Sequence, residues 1–147
     1  MSKIIKHTFV IPNLKVEHGE LVEGKNIEKT YQFTLLFRGL GIYEEVTGRP
    51  LISDLLDTLS KAKNDTKNIG KFIDINILKT LACCSYVKIE NDKFHNNRAT
   101  YEEFKKSQVF PFIEKDFAFI TKLVEMALDC VYNEAKSKNS EAYRSKK

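Results

Sequence analysis

Gly39 and Gly41 form a G-x-G pair directly after a strand-like run, where a dinucleotide-binding loop would begin to turn its backbone N–H groups toward a pyrophosphate. The third glycine of that fingerprint is due at position 44, but Glu44 stands there and Glu45 follows. Two carboxylates repel the phosphates that such a loop must attract. No G-K-[ST] is present for a Walker loop. The two glycines are therefore read as punctuation, a strand-to-helix change or a close backbone approach.

The other chemistry-bearing residues are equally scattered. His7, His18 and His95 lie far apart, with no H-x-x-x-H pair and no cysteine nearby. Cys83 and Cys84 are adjacent, a spacing that strains a mutual disulfide, and no C-x-x-C exists for zinc. Together with Cys130 they fall in apolar helical patterns, where a free thiol packs as a small hydrophobe. Glu102 and Glu103 precede Phe104 at a helix start, where carboxylates favour the helix dipole. No nucleophile elbow occurs. Sequence reasoning therefore assigns no catalytic residue, no metal ligand and no cofactor.

The chain has 147 residues, 42% hydrophobic and 30% charged, a composition that supports one globular core without staples. Its net charge of +4 is carried by the end of the chain, where Lys136, Lys138, Arg144, Lys146 and Lys147 oppose Glu141. The remainder is neutral. A single globular domain over 1–134 and a flexible, disordered basic tail over 135–147 are expected. The N-terminus lacks a signal-peptide pattern, and no apolar run reaches the ~18 residues of a membrane span. A reducing cytoplasm and no membrane partner are the matching expectations.

Around these residues the elements read as mainly α: a compact domain of four to five helices, with a short N-terminal β-strand or hairpin. His7 to Leu14 is β-branched and ends at Pro12 and Asn13, so it reads as a strand, and the polar Lys15 to Lys29 reads as a mobile connection or hairpin loop. Tyr31 to Phe37 fits strand and helix spacing equally. Gly48 and Pro50 close a helix that includes Ile42 to Thr47, and Ile52, Leu55, Leu56 and Leu59 mark a short second one. Asp74 caps a third over Ile75 to Tyr86. After a charged loop from Glu90 to Arg98, Thr100 and Glu103 form a T-x-x-E box that opens another. The last helix, from about Phe112 to Lys136, repeats Ile113, Phe117, Ile120, Val124, Ala127 and Val131 at helical spacing.

What remains is apolar and aromatic, with ten Phe, six Tyr and no Trp. The run YQFTLLFRGLGIYEEVTGRPLISDLL, Tyr31 to Leu56, resembles the tail assembly chaperones of long-tailed phages that infect Gram-positive bacteria, lactococcal siphophages in particular. That resemblance implies a non-enzymatic protein of the host bacterial cytoplasm, absent from the mature virion. Its partners would be the tape measure protein, kept soluble by masking of its amphipathic helices, further copies of itself, and the tail tube protein that displaces it. Candidate partner-binding or self-association patches are Phe37, Leu40 and Tyr43, and Phe117, Ile120 and Val124; at least one patch is core. The alternative is a small phage- or plasmid-encoded regulator that binds nucleic acid through the basic tail, with steep salt dependence. A third is a small enzyme with an unrecognised site.

Overall fold

The computed structural model describes residues 4–63 and 69–130. Strand β1 (Ile4–Ile11) alternates strictly, burying Ile5, His7, Phe9 and Ile11 and exposing Ile4, Lys6, Thr8 and Val10. Such period-two burial marks a strand with one face on the core. It pairs antiparallel with β4 (Ile27–Thr34) from Ile4 opposite Thr34 to Ile11 opposite Ile27. The Thr8 and Thr30 hydroxyls meet at 2.8 Å across the exposed face.

Between these strands the chain leaves the sheet as a ribbon, β2 (Leu14–Glu17) with β3 (Glu20–Glu23). His18 and Gly19 both take positive φ at its tip, 52° and 79°, the geometry of a tight two-residue hairpin turn. At its base the Gly24 N–H donates to the Asn13 carbonyl at 2.8 Å.

Helices α1 (Phe37–Thr47) and α2 (Leu51–Lys61) follow, then the single turn α3 (Ile69–Phe72) and α4 (Ile75–Ser85). Gly48 ends α1 in the left-handed region, with its N–H on the Glu44 carbonyl. The Asp74 carboxylate accepts from the Asn76 N–H and starts α4. That helix passes without a loop into β5 (Tyr86–Glu90), which turns through Asn91 and Asp92 into β6 (Lys93–His95). The sheet order is β1-β4-β5-β6, antiparallel throughout. Helix α5 (Arg98–Lys105), a 3-10 segment (Phe110–Lys115) and helix α6 (117–130) complete the described chain.

The expectation of a mainly helical fold is overturned: the described chain is mixed α/β, with a four-stranded antiparallel sheet and a two-stranded one. Three features hid the strands. β1 begins three residues before its sequence signal and stops at Pro12, so Leu14 belongs to a second strand. β5 inherits the apolar run of α4, and β6 lies inside what reads as a charged loop. The opening box of α5 also shifts: Asn97 is the cap, and it exchanges bonds with Thr100, not Thr100 with Glu103. Tyr31 to Phe37 resolves into both states, strand to Thr34 and helix from Phe37. Pro111 separates α5 from α6 within the 3-10 segment. The expected tail at 135–147 lies outside the described residues.

The core sits on the inward face of the sheet. Phe33 is fully buried, with its ring centroid 4.9 Å from Phe119, 5.3 Å from Phe104, 6.2 Å from Tyr86 and 6.4 Å from Phe9. α5 contributes Phe104 and α6 contributes Phe119, so these two helices close over the strands.

The two glycines of α1 have opposite settings. A Cβ on Gly39 would lie 2.7 Å from the Cys84 carbonyl oxygen, where α1 crosses the end of α4, whereas nothing lies within 4 Å of one on Gly41. Gly39→Ala is therefore expected to destabilise the fold by about 1–3 kcal/mol through overpacking. Gly41→Ala is expected to stabilise it by up to about 1 kcal/mol, the helix-propensity difference. Urea melts of the two variants check the opposite signs.

Candidate functional site

Among the described residues, three polar clusters and an exposed apolar ribbon are candidates for function. Deepest is the lock between α1 and α2. The Tyr43 hydroxyl donates to Asp54 Oδ2 at 2.5 Å, and Arg49 Nε lies 3.3 Å from Asp54 Oδ1. Thr47 Oγ1 donates to the Tyr43 carbonyl at 2.7 Å and accepts from the Arg49 N–H at 3.2 Å. Burial, reinforced by the Asp54 carboxylate, holds the Tyr43 phenol well above its usual range. It therefore stays a donor. The Y-E-E, T-G-R-P and L-I-S-D-L-L segments that carried the family resemblance are thus the two helices of one hairpin and the turn between them.

A second cluster runs from β1 to α6. The Lys122 ammonium, a donor only, lies 3.1 Å from His7 Nδ1, so that nitrogen accepts and Nε2–H donates to Asp116 Oδ2 at 2.8 Å. Asp116 Oδ1 also accepts from the Phe119 N–H and so begins α6. Both ring nitrogens are engaged, and the ring packs against Phe9 and Phe119 at 4.7 and 5.1 Å. This arrangement ties strand to helix and presents no nucleophile.

The third is a shallow, open depression beside β5, β6 and α5, lined by Lys88, His95, Asn97, Thr100, Glu102 and Glu103 among others. Its lysine is already engaged: Lys88 Nζ reaches Glu103 at 3.1 Å and Glu90 at 3.8 Å. Beneath it, Asn96 Nδ2 donates to the carbonyls of Cys84 and Tyr86 at 2.9 and 2.8 Å, satisfying backbone at the α4–β5 junction. Among the described residues, no group of three His, Cys, Asp or Glu side chains could hold a metal ion. No helix there is long and apolar enough to cross a membrane.

Cys83 and Cys84 are buried thiols outside any disulfide. Burial pushes the Cys83 thiol up to about 12, with the neighbouring Cys84 adding to the effect, and burial likewise raises Cys84 to about 12. Thiolate, the reactive form, is suppressed at both.

Several large apolar side chains of the described residues are exposed, and the β2–β3 ribbon gathers three of them. All of β2 is exposed and β3 nearly so. The pairing of Val16 with Leu21 and Leu14 with Glu23 gathers Leu14, Val16 and Leu21 on one ribbon face, at 61%, 68% and 71% exposure. Phe37 (93%) at the start of α1 and Phe117 (80%) at the start of α6 are also exposed. Sequence spacing had grouped Phe37 with Leu40 and Tyr43, but Leu40 is half-buried and Tyr43 fully buried. Likewise Phe117 stands apart from half-buried Ile120 and from Val124, which is in the core. All of the ribbon but Leu14 lies within Lys15 to Lys29, which reads from sequence as a mobile connection or a hairpin loop; the alternation of Leu14, Val16 and Leu21 around His18-Gly19 is the signal that marks its strands.

No family model matches this chain, and neither the curated proteins nor the solved structures give a match.

Two outcomes follow from these clusters. Asp54→Ala leaves the buried Tyr43 hydroxyl without its acceptor and is expected to cost about 1–3 kcal/mol in a urea melt. Because Cys83 and Cys84 rise from 9.0 to about 12 on folding, their contribution to stability is whole below pH 9. Unfolded thiols ionise above that value while folded ones do not, so stability falls as pH climbs from 9 to 12. Denaturation midpoints at stepped alkaline pH measure it, and C83A/C84A should flatten the decline.

Proposed function

We propose that this chain is a phage tail assembly chaperone that binds the tape measure protein and keeps it soluble by masking its amphipathic helices. The observation that carries this reading is the β2–β3 ribbon, whose apolar face is left uncovered by the rest of the described chain. A two-stranded ribbon is only marginally stable alone and gains most by laying its apolar face on another surface. Exposed apolar rows framed by charge suit an amphipathic helix: Glu23 borders the face of Leu14, Val16 and Leu21, and Lys15, Glu17, Glu20 and Val22 occupy the opposite one. Phe37 and Phe117 add further apolar contact on separate elements. The chain acts by binding rather than by turnover, in many copies along a long client, each contact weak enough for tail tube protein to displace. It works in the host cytoplasm and leaves before the virion is complete.

Co-expression with the tape measure protein of the same phage tests this. The expected result is a soluble multi-copy complex by size-exclusion chromatography with light scattering, and an insoluble client without the chaperone. Val16→Asp combined with Leu21→Asp is expected to abolish rescue while leaving the fold intact by circular dichroism, whereas Lys15→Asp preserves it. A client that stays insoluble with the unmodified chain would sink the reading. Rescue untouched by the ribbon substitutions would remove the ribbon from it.

A further inference from the structure

β1 is the open edge of the four-stranded sheet. It pairs with β4 along its length, and no other described strand lies beside it. An edge strand of this length presents a row of unpaired N–H and C=O groups, which proteins usually blunt with proline, bulges, charge or brevity. The opposite edge, β6, is blunted by brevity at three residues. β1 has eight residues, no proline and one exposed charge, Lys6.

We propose that β1 pairs antiparallel with β1 of a second copy of this chain, about a two-fold axis at His7, to make one continuous eight-stranded sheet. The alternation of β1 restricts how two copies can meet. Inward residues must oppose inward residues, so the axis has to pass through a residue and not between two. Centred on Lys6, the pairing sets the two ammoniums against each other, which is repulsive. Centred on Thr8, it opposes Lys6 to Val10 and leaves Ile4 unpaired. Centred on His7, it opposes Ile4 to Val10, Ile5 to Phe9 and Lys6 to Thr8 of the second copy. Only that register matches apolar to apolar on both faces and keeps the cations apart. Outward Ile4 and Val10, both exposed in the single chain, then cover each other. The two His7 rings meet at the axis, each already bonded to Asp116 and Lys122 of its own chain.

The register makes a signed prediction at Thr8. Sedimentation velocity of the isolated full chain over a range of concentrations is expected to show a monomer–dimer equilibrium. Thr8→Lys places a lysine opposite Lys6 twice per dimer and is expected to weaken association about tenfold. Thr8→Glu places a carboxylate there and is expected to tighten it by a similar factor, with the gain lost at high salt. Both variants forfeit the same Thr30 hydroxyl contact, so a purely structural role for Thr8 predicts equal effects. The double variant K6E/T8K restores opposite charges and is expected to recover the dimer, which keeps the test decisive if a single variant folds poorly. A chain that stays monomeric at all concentrations overturns the proposal. So does a dimer indifferent to these charges, or one weakened by both single variants. The measurement needs no client, so its failure and the failure of the chaperone reading are separate results.

Discussion

The packing of Phe33 against Phe104 and Phe119 determines where the other elements can go. A ring fully enclosed at the centre of the sheet requires strands on both sides to hold β4 in place, and helices above to exclude water. Phe9 on β1 and Tyr86 on β5 supply the flanks, while α5 and α6 supply the lid. Edge-to-face aromatic pairs of this kind contribute about 0.5–1.5 kcal/mol each beyond the area they bury. Several share Phe33, so the cluster behaves as one cooperative unit. Tyr31 and His7 extend it along the same face, which is why a histidine can lie in an aromatic core once Asp116 and Lys122 satisfy both its nitrogens.

Beside that core, α1 and α2 form a hairpin with its own internal lock, and the separation matters for function. Tyr43 and Asp54 direct the polar bonding inward, leaving Phe37 at one end of α1 outside. The ribbon is detached in a similar way, since its strands bond to each other and present their side chains to solvent. Of the exposed apolar residues, those of the ribbon sit on strands outside the core cluster, whereas Phe37 and Phe117 project from helices whose other faces, with Tyr43 and Phe119, belong to it. On the proposed chaperone reading, a client laid on the ribbon could bind and leave without disturbing the packed interior.

What could be read from residues alone was local. Gly48 before Pro50 ended α1, Asp74 began α4, Pro111 broke the final helical run, and each signal depends on backbone chemistry within a few residues. β1 was legible from its β-branched run, but β5 was not because its evidence is not local: Tyr86 to Glu90 looks like the tail of α4 until β4 is known to lie alongside. Thr100 misled because its hydroxyl pairs with Asn97, three residues back, and not with Glu103, three ahead. Phe37, Leu40 and Tyr43 share a helical spacing, yet only position against α4 and α2 separates the exposed ring from the buried one. The ribbon's apolar face emerged only once the register of Val16 with Leu21 was fixed.

The closure between β1 and α6 has a temporal side. His7 and Asp116 are separated by 109 residues, so a ribosome adding about 5–20 residues each second needs on the order of ten seconds to deliver the second after the first. Within that interval β1 and β4, joined through the β2–β3 ribbon, have time to pair, since hairpins form in about 1–10 microseconds. Its aromatic face then waits, uncovered, for Phe104 and Phe119. Until the last helix emerges, the nascent chain carries an exposed aromatic face of the kind that favours aggregation.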